Sequence, residues 1–204
     1  MSTVSKVPRL SERDQQQLFQ DLNYLNRAEI KSFCKKYSIP YTISIETDTG
    51  RRKTGEDDRK GVILERIRHF LRTGEILEGT CFPVAVVCFD PLPKKLTADD
   101  RLFYGQYDKT SRIMISLLRE LTGGQFKNGA IARILARSFW TKGEAPTFRE
   151  FADAWLEASR QHNAPNPEWA FLSDRARNAA PPDWKKMRTA KAARVMSVLN
   201  RIGK

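Results

Sequence analysis

Apolar side chains recur at helical spacing along most of this chain, and that periodicity limits the fold more than any other feature. Leu18, Leu22 and Leu25 fall on one helical face near the start of the sequence. The same spacing returns in five later segments: residues 26–38, 58–73, 109–122, 128–140 and 147–162. The sequence therefore predicts a mainly α-helical protein.

Short polar signals mark where these helices begin and end. Asn26, Thr97 and Thr147 each precede an acidic residue by three positions, which is the pattern of a helix N-terminus with a capping box. Gly74 and Gly123 are placed to end the helices before them. We therefore expect helices to start after each of these three N-cap residues.

Two segments do not follow the helical pattern. Residues 41–58, "YTISIETDTGRRKTGEDD", combine short alternation with turn residues and are predicted to be an extended loop. Val84 to Phe89 is an apolar run between prolines, which fits either a buried strand or an extended connector, and we favour the connector. The predicted organisation is a helix–loop–helix module over residues 1–80, a connector over 81–96 and a helical domain over 97–204. At most a short strand is expected, near 84–89.

The positive charge of the chain is concentrated in two short windows. The net charge is +12 over 204 residues. Residues 51–72 hold eight basic and four acidic residues, a net charge of +4, and residues 185–204 hold seven basic and no acidic residues. Together these windows carry +11 of the total. A basic excess this localised favours a functional surface for a polyanion over an ordinary solvated surface.

The composition limits the cellular compartments and the classes of protein that fit this sequence. The chain has no apolar run of membrane-spanning length, and "MSTVSKVPRLSERDQQQ" lacks the apolar stretch of a secretory signal. Three cysteines form no CxxC motif and only two histidines are present, which argues against a zinc site and for a reducing compartment. We expect a cytoplasmic protein, associated with the nucleoid if it is bacterial.

The sequence contains no convincing catalytic constellation. It lacks the P-loop, the dinucleotide-binding glycine motif, HExxH and GxSxG. Glu46 and Asp48 with Lys53 are a thin version of the carboxylate cluster of a nuclease, which leaves a nuclease as a third functional possibility. His69 and His162 are interpreted as ordinary surface or helix-end histidines. The sequence predicts no enzyme activity, no metal and no cofactor.

The first basic window can hold phosphate groups. Arg51, Arg52 and Lys53 approach from the loop, and Arg59 and Lys60 lie at the start of the following helix, whose N-terminal N–H groups favour an anion. Asp57 and Asp58 oppose this locally, although as N-cap residues they would stabilise the helix.

Two helical segments also resemble a known DNA-binding module. "AEIKSFCKKYSIP" and "RKGVILERIRHFL" are similar to the two helices of the SAP module, a helix–extended loop–helix motif of DNA-binding proteins. The resemblance covers about residues 22–73 and is closest at Lys60 and at residues 63–67. It implies DNA binding, with Arg51 to Lys53, Arg59 and Lys60 as phosphate contacts.

The second half resembles a small helical domain without assigned biochemistry. "TGGQFKNGAIARILARSF" and "PTFREFADAWLEASRQ" are similar to a domain that follows SAP-like modules in some bacterial proteins. The resemblance implies no activity. Phe126, Phe139, Phe151 and Trp155 are interpreted as core aromatic residues rather than as a platform for stacked bases.

The last twenty residues are predicted to form a basic amphipathic helix, with Met187, Val195, Leu199 and Ile202 packing inward.

The favoured function is a non-enzymatic DNA-binding protein that contacts the phosphate backbone with little sequence specificity. The partner would be DNA, expected to be duplex, with RNA left open. A protein-interaction adaptor, using the C-terminal helical domain, is the alternative. The predicted nucleic-acid contacts are Arg51, Arg52, Lys53, Arg59, Lys60, Arg66, Lys185, Lys186, Arg188, Lys191 and Arg194.

Overall fold

The computed structural model describes residues 11–161 and 183–201. Within these residues the chain is mainly α-helical, with one small sheet, and it divides into two compact units. The first unit contains residues 11–42, 56–79 and 183–201, and the second contains residues 43–55 and 80–161. This division differs from the predicted ranges, because the C-terminal helix belongs with the N-terminal segments.

The first unit is built from four helices around one apolar core. The core is filled by side chains such as Leu22, Phe33, Ile67 and Leu71, all nearly inaccessible to solvent. Burial of such side chains supplies the main favourable term in folding. The helices of this unit are α1 (Glu12–Asp21), α2 (Arg27–Tyr37), α3 (Lys60–Thr73) and α7 (Trp184–Arg201).

The ends of α2 and α3 follow the predicted signals. The Asn26 side chain accepts a hydrogen bond from the Glu29 N–H at 2.9 Å, and the Glu29 carboxylate accepts one from the Asn26 N–H at 2.6 Å. This reciprocal pair is the predicted capping box. Gly74 ends α3 in the left-handed conformation (φ +76°), as expected for a glycine at this position.

Helix α7 completes the first unit rather than a C-terminal domain. Ala192, Val195 and Leu199 are buried in the same core as the side chains of α1, α2 and α3. Met187, predicted to pack inward, is 42% exposed, and Ile202 lies outside the described residues. The amphipathic pattern thus predicted the helix and part of its buried face, whereas its partners are set by contacts distant in sequence.

The predicted extended loop over residues 41–58 is instead a β-hairpin. Strand β1 (Thr42–Thr47) and strand β2 (Gly50–Asp57) are joined by a two-residue turn, and β3 (Cys81–Phe82) pairs in parallel with β1 on its other side. Ile43 and Ile45 of β1 are buried in the core of the second unit. The order β2–β1–β3 leaves β2 at an edge of the sheet.

Residues 84–89, for which the sequence favours a connector over a short strand, form no continuous strand. Val84–Val86 forms a short 3₁₀ turn, and Val84 and Phe89 are exposed rather than buried. The backbone of Val86 and Cys88 instead bonds to Tyr104 on a neighbouring segment, at 2.9 Å in both cases. The prolines around this run keep it from entering the sheet as a longer strand.

The second unit holds three further helices and an aromatic core. Trp140 lies at its centre, donates its indole N–H to the Leu102 carbonyl at 3.0 Å and packs edge-on against Phe82 and Tyr104. Phe126, Phe151 and Trp155 are buried and Phe139 is half-buried, as the sequence predicted for core aromatics. The helices are α4 (Arg112–Leu121), α5 (Ala130–Thr141) and α6 (Phe148–Gln161).

A helix predicted after Thr97 does not form. Asp100 does accept hydrogen bonds from the N–H and hydroxyl groups of Thr97, but the chain that follows is extended. Leu102 donates its N–H to the Pro146 carbonyl (2.8 Å), and Arg101 pairs with Thr147 in an antiparallel bridge. These backbone bonds to a distant segment replace those that a helix would have made.

Candidate nucleic-acid interface

The hairpin exposes three cations on one strand. Arg51, Arg52 and Lys53 lie on β2, and all three side chains are exposed. Among the described residues, no carboxylate lies within 4.0 Å of their cationic nitrogens. We call these three residues the strand surface. Their charges are therefore available to a ligand in solution.

The middle residue of the strand surface lies against an exposed aromatic ring. The Arg52 guanidinium is 5.6 Å from the centroid of Phe89, within the range of a cation–π contact. Phe89 is 58% exposed although it is a large apolar side chain. Phe89 was missed from the sequence, because residues 84–89 were assigned to a connector or a buried strand and not to an exposed site. The signal that was present is the sequence Asp90-Pro91 after it, which favours a turn at the surface.

The acidic residues beside the strand surface are neutralised within the first unit. The Asp57 carboxylate contacts the Arg27 guanidinium at 3.0 Å and the Lys31 ammonium at 2.6 Å, both on α2. Asp58 is 5% exposed and pairs with Arg66 at 2.6 Å. Neither aspartate is the N-cap of α3, which is Arg59. Instead of capping α3, Asp57 forms ion pairs with α2 and Asp58 forms one with Arg66 of α3.

Arg66 lies in the interior rather than on a surface for phosphate. It is 6% exposed and donates to the Pro40 carbonyl at 3.0 Å as well as to Asp58. A guanidinium this deeply buried cannot reach a nucleic acid without unfolding α3. The structure thus removes Arg66 from the predicted contact set and gives it a stabilising role.

The two cations at the start of α3 are half-buried. Lys60 donates its ammonium group to the Asn23 carbonyl at 2.5 Å, which ties α3 to the turn after α1. Arg59 occupies the N-cap with extended backbone angles. Both belong to the first unit. The hydrogen bond of Lys60 stabilises the start of α3, and both residues are less accessible than those of the strand surface.

The cations of helix α7 form two sets, an outer set that is exposed and an inner set that is half-buried. Lys185, Lys186 and Arg194 are exposed, and we call them the helix surface. Lys186 lies 3.5 Å from the Asp183 carboxylate. Arg194 borders a groove of about 260 Å³ that Asp14 and Asp21 of α1 also line. Carboxylates thus lie close to part of this surface.

Arg188 and Lys191 form the inner set and hold α7 against the first unit. Arg188 donates to the Tyr24 carbonyl at 3.0 Å and to the Glu29 carboxylate at 2.7 Å. Lys191 lies 4.2 Å from the centroid of the Tyr24 ring and 3.6 Å from an Asp21 oxygen. Partial burial lowers the pKa of Lys191, but its hydrogen bond to the Tyr24 hydroxyl and the charges of Tyr24 and Asp21 outweigh this effect and raise the pKa overall.

The Cys34 thiol is buried in the core of the first unit, and the carboxylates that resemble a nuclease cluster are exposed. Burial raises the pKa of the Cys34 thiol to about 11, although the charge of Arg66 lowers it in part, so the thiol is protonated at neutral pH. Glu46 and Asp48 are exposed on the hairpin. Within residues 11–161 and 183–201, no group of three or more His, Cys, Asp or Glu side chains could hold a metal ion. His162 lies outside the described residues.

The second unit also contains a cavity at the beginning of α5. Its volume is about 550 Å³, and Lys127 is the charged residue in its lining.

In the part of the chain that the structure describes, no helix combines the length and the apolar character needed to cross a bilayer. Comparison with protein-family models, curated proteins and solved structures gives no significant match to this chain.

Proposed function

We propose that this chain is a non-enzymatic DNA-binding protein that contacts the phosphate backbone with little sequence specificity. The observation that carries the proposal is the strand surface: three adjacent exposed cations on β2, with no carboxylate within 4.0 Å among the described residues. The helix surface, Lys185, Lys186 and Arg194, supplies further contacts. The similarity of α2 and α3 to SAP helices adds the expectation of duplex DNA.

The chemistry of the strand surface suits phosphate groups. Arginine donates two parallel hydrogen bonds to a phosphate, and lysine binds it as a point charge. Long side chains on an exposed strand reach backbone oxygens but present no rigid donor pattern to base edges, so binding should be insensitive to sequence. Each phosphate contact releases a counterion, and affinity should therefore fall steeply as salt is raised.

Cations on an edge strand also have a simpler explanation. Charged side chains prevent an exposed edge from pairing with another chain. Glutamate would protect the edge as well as arginine does, but it would repel DNA. Replacing Arg51, Arg52 and Lys53 by glutamate therefore separates the two explanations. Edge protection alone predicts that the affinity for DNA is unchanged, and our proposal predicts that binding is lost.

Fluorescence anisotropy with a labelled duplex at several salt concentrations tests the proposal. Replacing Arg51, Arg52 and Lys53 by glutamine should lower the affinity and reduce the slope of log affinity against log salt by roughly 2–3. The control replaces Arg119, Lys142 and Arg149, which are exposed in the same unit, and changes the net charge equally. Failure of the wild-type protein to bind at low salt, or an equal loss in the control, would overturn the proposal.

The same titration with variants of the helix surface measures how much the first unit contributes to the affinity for DNA. Replacing Lys185, Lys186 and Arg194 by glutamine should weaken binding less than the change on the strand surface does, because Asp183 and the carboxylates of α1 already offset part of the charge. An RNA of the same sequence, used as a second ligand, shows whether the protein distinguishes DNA from RNA.

A further inference from the structure

We infer that the strand surface binds single-stranded nucleic acid, with Phe89 as a stacking residue for an unpaired base. The inference rests on the proposed function for the phosphate contacts, and for the second unit it replaces the expectation of duplex DNA by single-stranded nucleic acid. It depends on three properties of Phe89: its exposure, its fixed position and the cation beside it.

The exposure of Phe89 is unusual for an aromatic residue of this protein. Among the described residues whose large hydrophobic side chains are exposed, Phe89 is the aromatic one. Other rings of the second unit, such as Phe82, Phe126 and Phe148, are buried. A solvent-exposed phenylalanine gains free energy when a flat apolar group covers it. The face of a nucleic-acid base is such a group.

The ring is held in place by the segment behind it. Tyr104 packs edge-on against it, with the ring centroids 6.2 Å apart. The Cys88 N–H donates to the Tyr104 carbonyl at 2.9 Å, which fixes the backbone next to Phe89. A Cβ atom at Gly105 would lie 2.3 Å from the Cys88 oxygen and 2.8 Å from Cδ1 of Phe89, and φ there is +98°. A larger residue at this position would displace the ring, so glycine allows the close packing.

A phosphate-binding group lies beside the ring. The Arg52 guanidinium is 5.6 Å from the centroid of Phe89, whereas Arg51 and Lys53, next to it on β2, project to the opposite face of the strand because successive strand residues alternate. The carboxylate of Asp90, next in sequence, accepts a hydrogen bond from the Cys88 thiol at 3.7 Å. Proteins that bind single strands combine backbone-binding cations with aromatic rings for stacking. A duplex keeps its bases stacked inside, and the Phe89 ring would find no base face there.

The experiment compares one sequence as single-stranded DNA, single-stranded RNA and duplex DNA by anisotropy at fixed salt. The variants are Phe89→Leu, which keeps the apolar bulk but removes the ring, and Phe89→Trp, which keeps an aromatic face. Ile113→Ala, at an exposed apolar position on α4 in the same unit, is the matched control. Because Phe89 is exposed, these changes should not unfold the protein, and a thermal melt confirms this for each variant.

We expect the wild-type protein to favour the single strand. Phe89→Leu should lower its single-strand affinity by roughly 5- to 100-fold and its duplex affinity by less than about twofold. Phe89→Trp should retain the affinity, and Ile113→Ala should change neither. An oligonucleotide containing 2-aminopurine gives a second readout, because stacking on the ring quenches its fluorescence in the wild type and not in Phe89→Leu.

Two kinds of result would overturn the inference, and they differ from failure of the proposed function. Binding of duplex with equal or greater affinity, or an equal effect of Phe89→Leu on both forms, would exclude stacking while leaving phosphate binding intact. Self-association of the wild type that disappears in Phe89→Leu, seen by sedimentation velocity, would assign the ring to a contact between copies. Absence of binding to any nucleic acid would instead overturn the proposed function.

Discussion

Arg52 and Arg66 belong to the same basic window of the sequence, yet the structure places them in opposite environments. Arg52 is exposed on an edge strand beside Phe89, with no carboxylate within 4.0 Å among the described residues. Arg66 is 6% exposed and bonded to Asp58 and to the Pro40 carbonyl. A local count of charge therefore overstates the charge available to a ligand, because some cations form ion pairs and hydrogen bonds inside the fold.

The helix α7 repeats this contrast within a single element. Lys185 and Arg194 are exposed, whereas Arg188 and Lys191 are engaged with Tyr24, Glu29 and Asp21. A half-buried cation with several partners contributes to stability, and an exposed one contributes little. The contrast therefore predicts that the inner cations affect unfolding and the outer ones affect binding.

The largest effect is expected from breaking the buried ion pair. Asp58→Ala removes the 2.6 Å ion pair of the buried Arg66 guanidinium, which should lower the free energy of unfolding by about 3–5 kcal/mol. Urea denaturation followed by circular dichroism measures the loss. Glu65→Ala is the control, because its ion pair with Arg68 lies at the surface, where Glu65 is 65% exposed.

A double substitution sharpens the same point. Asp58→Leu with Arg66→Met removes both charges and should recover most of the stability, since apolar groups of similar size can replace a buried pair. An Asp58→Ala protein as stable as the wild type would show that Arg66 finds solvent easily, and the contrast with Arg52 would then fail.

A smaller effect is expected at the inner face of α7. Arg188→Ala removes hydrogen bonds to the Tyr24 carbonyl and the Glu29 carboxylate and should cost about 1–2 kcal/mol of unfolding free energy. Lys186→Ala, on the exposed side of the same helix, should change it by less than about 0.5 kcal/mol. Equal losses in the two variants would contradict this assignment, because the contacts of Arg188 with Tyr24 and Glu29 would then contribute no more than an exposed lysine does.

Lys60 and Lys53 provide the next comparison, because both were predicted to contact phosphate. Lys60→Met removes the hydrogen bond to the Asn23 carbonyl and should lower the free energy of unfolding by about 0.5–1.5 kcal/mol. Lys53→Met should leave stability unchanged and weaken DNA binding. Thermal melts and anisotropy on both proteins decide this; the reverse assignment of effects would contradict the placement of the two lysines.

The smallest effect is a local one at Cys34. Its thiol is fully buried and has a pKa of about 11, so iodoacetamide at pH near 8 should leave it unmodified in the native protein, while the half-buried Cys81 and Cys88 react first. In Asp58→Ala, Cys34 should become reactive, because opening around Arg66 exposes the adjoining core. Peptide mass spectrometry identifies the labelled residue. Rapid labelling of Cys34 in the wild type would contradict a closed core at this position.

Local signals in the sequence predicted the helices well. The capping boxes at Asn26 and Thr147, the stop at Gly74 and the apolar faces of α2, α3 and α6 all have their causes within a few residues. Thr97 shows the limit of such signals. Its cap-like bonds to Asp100 form, but backbone pairing of Leu102 with the segment at Pro146 prevails over helix formation.

The hairpin shows why part of the candidate site escaped prediction. Ile43 and Ile45 of β1 do alternate with more polar residues, but β2 reads Gly-Arg-Arg-Lys-Thr-Gly-Glu-Asp, with no apolar alternation to mark a strand. Its conformation comes from pairing with β1, which is buried in the second unit. A basic strand held by a neighbour therefore looks like a loop in the sequence.

The mainly helical character, the boundaries of several helices and the two windows of positive charge could be predicted from the sequence, because capping, periodicity and composition are local properties. Which cations remain available to a ligand depends on contacts formed by folding. Asp57 and Asp58 are neutralised by Arg27, Lys31 and Arg66, contacts that depend on the packing of α2 and α3. The exposure of Phe89 beside Arg52 likewise depends on segments brought together by folding. Burial and ion pairing between distant residues are the physical reason for the difference.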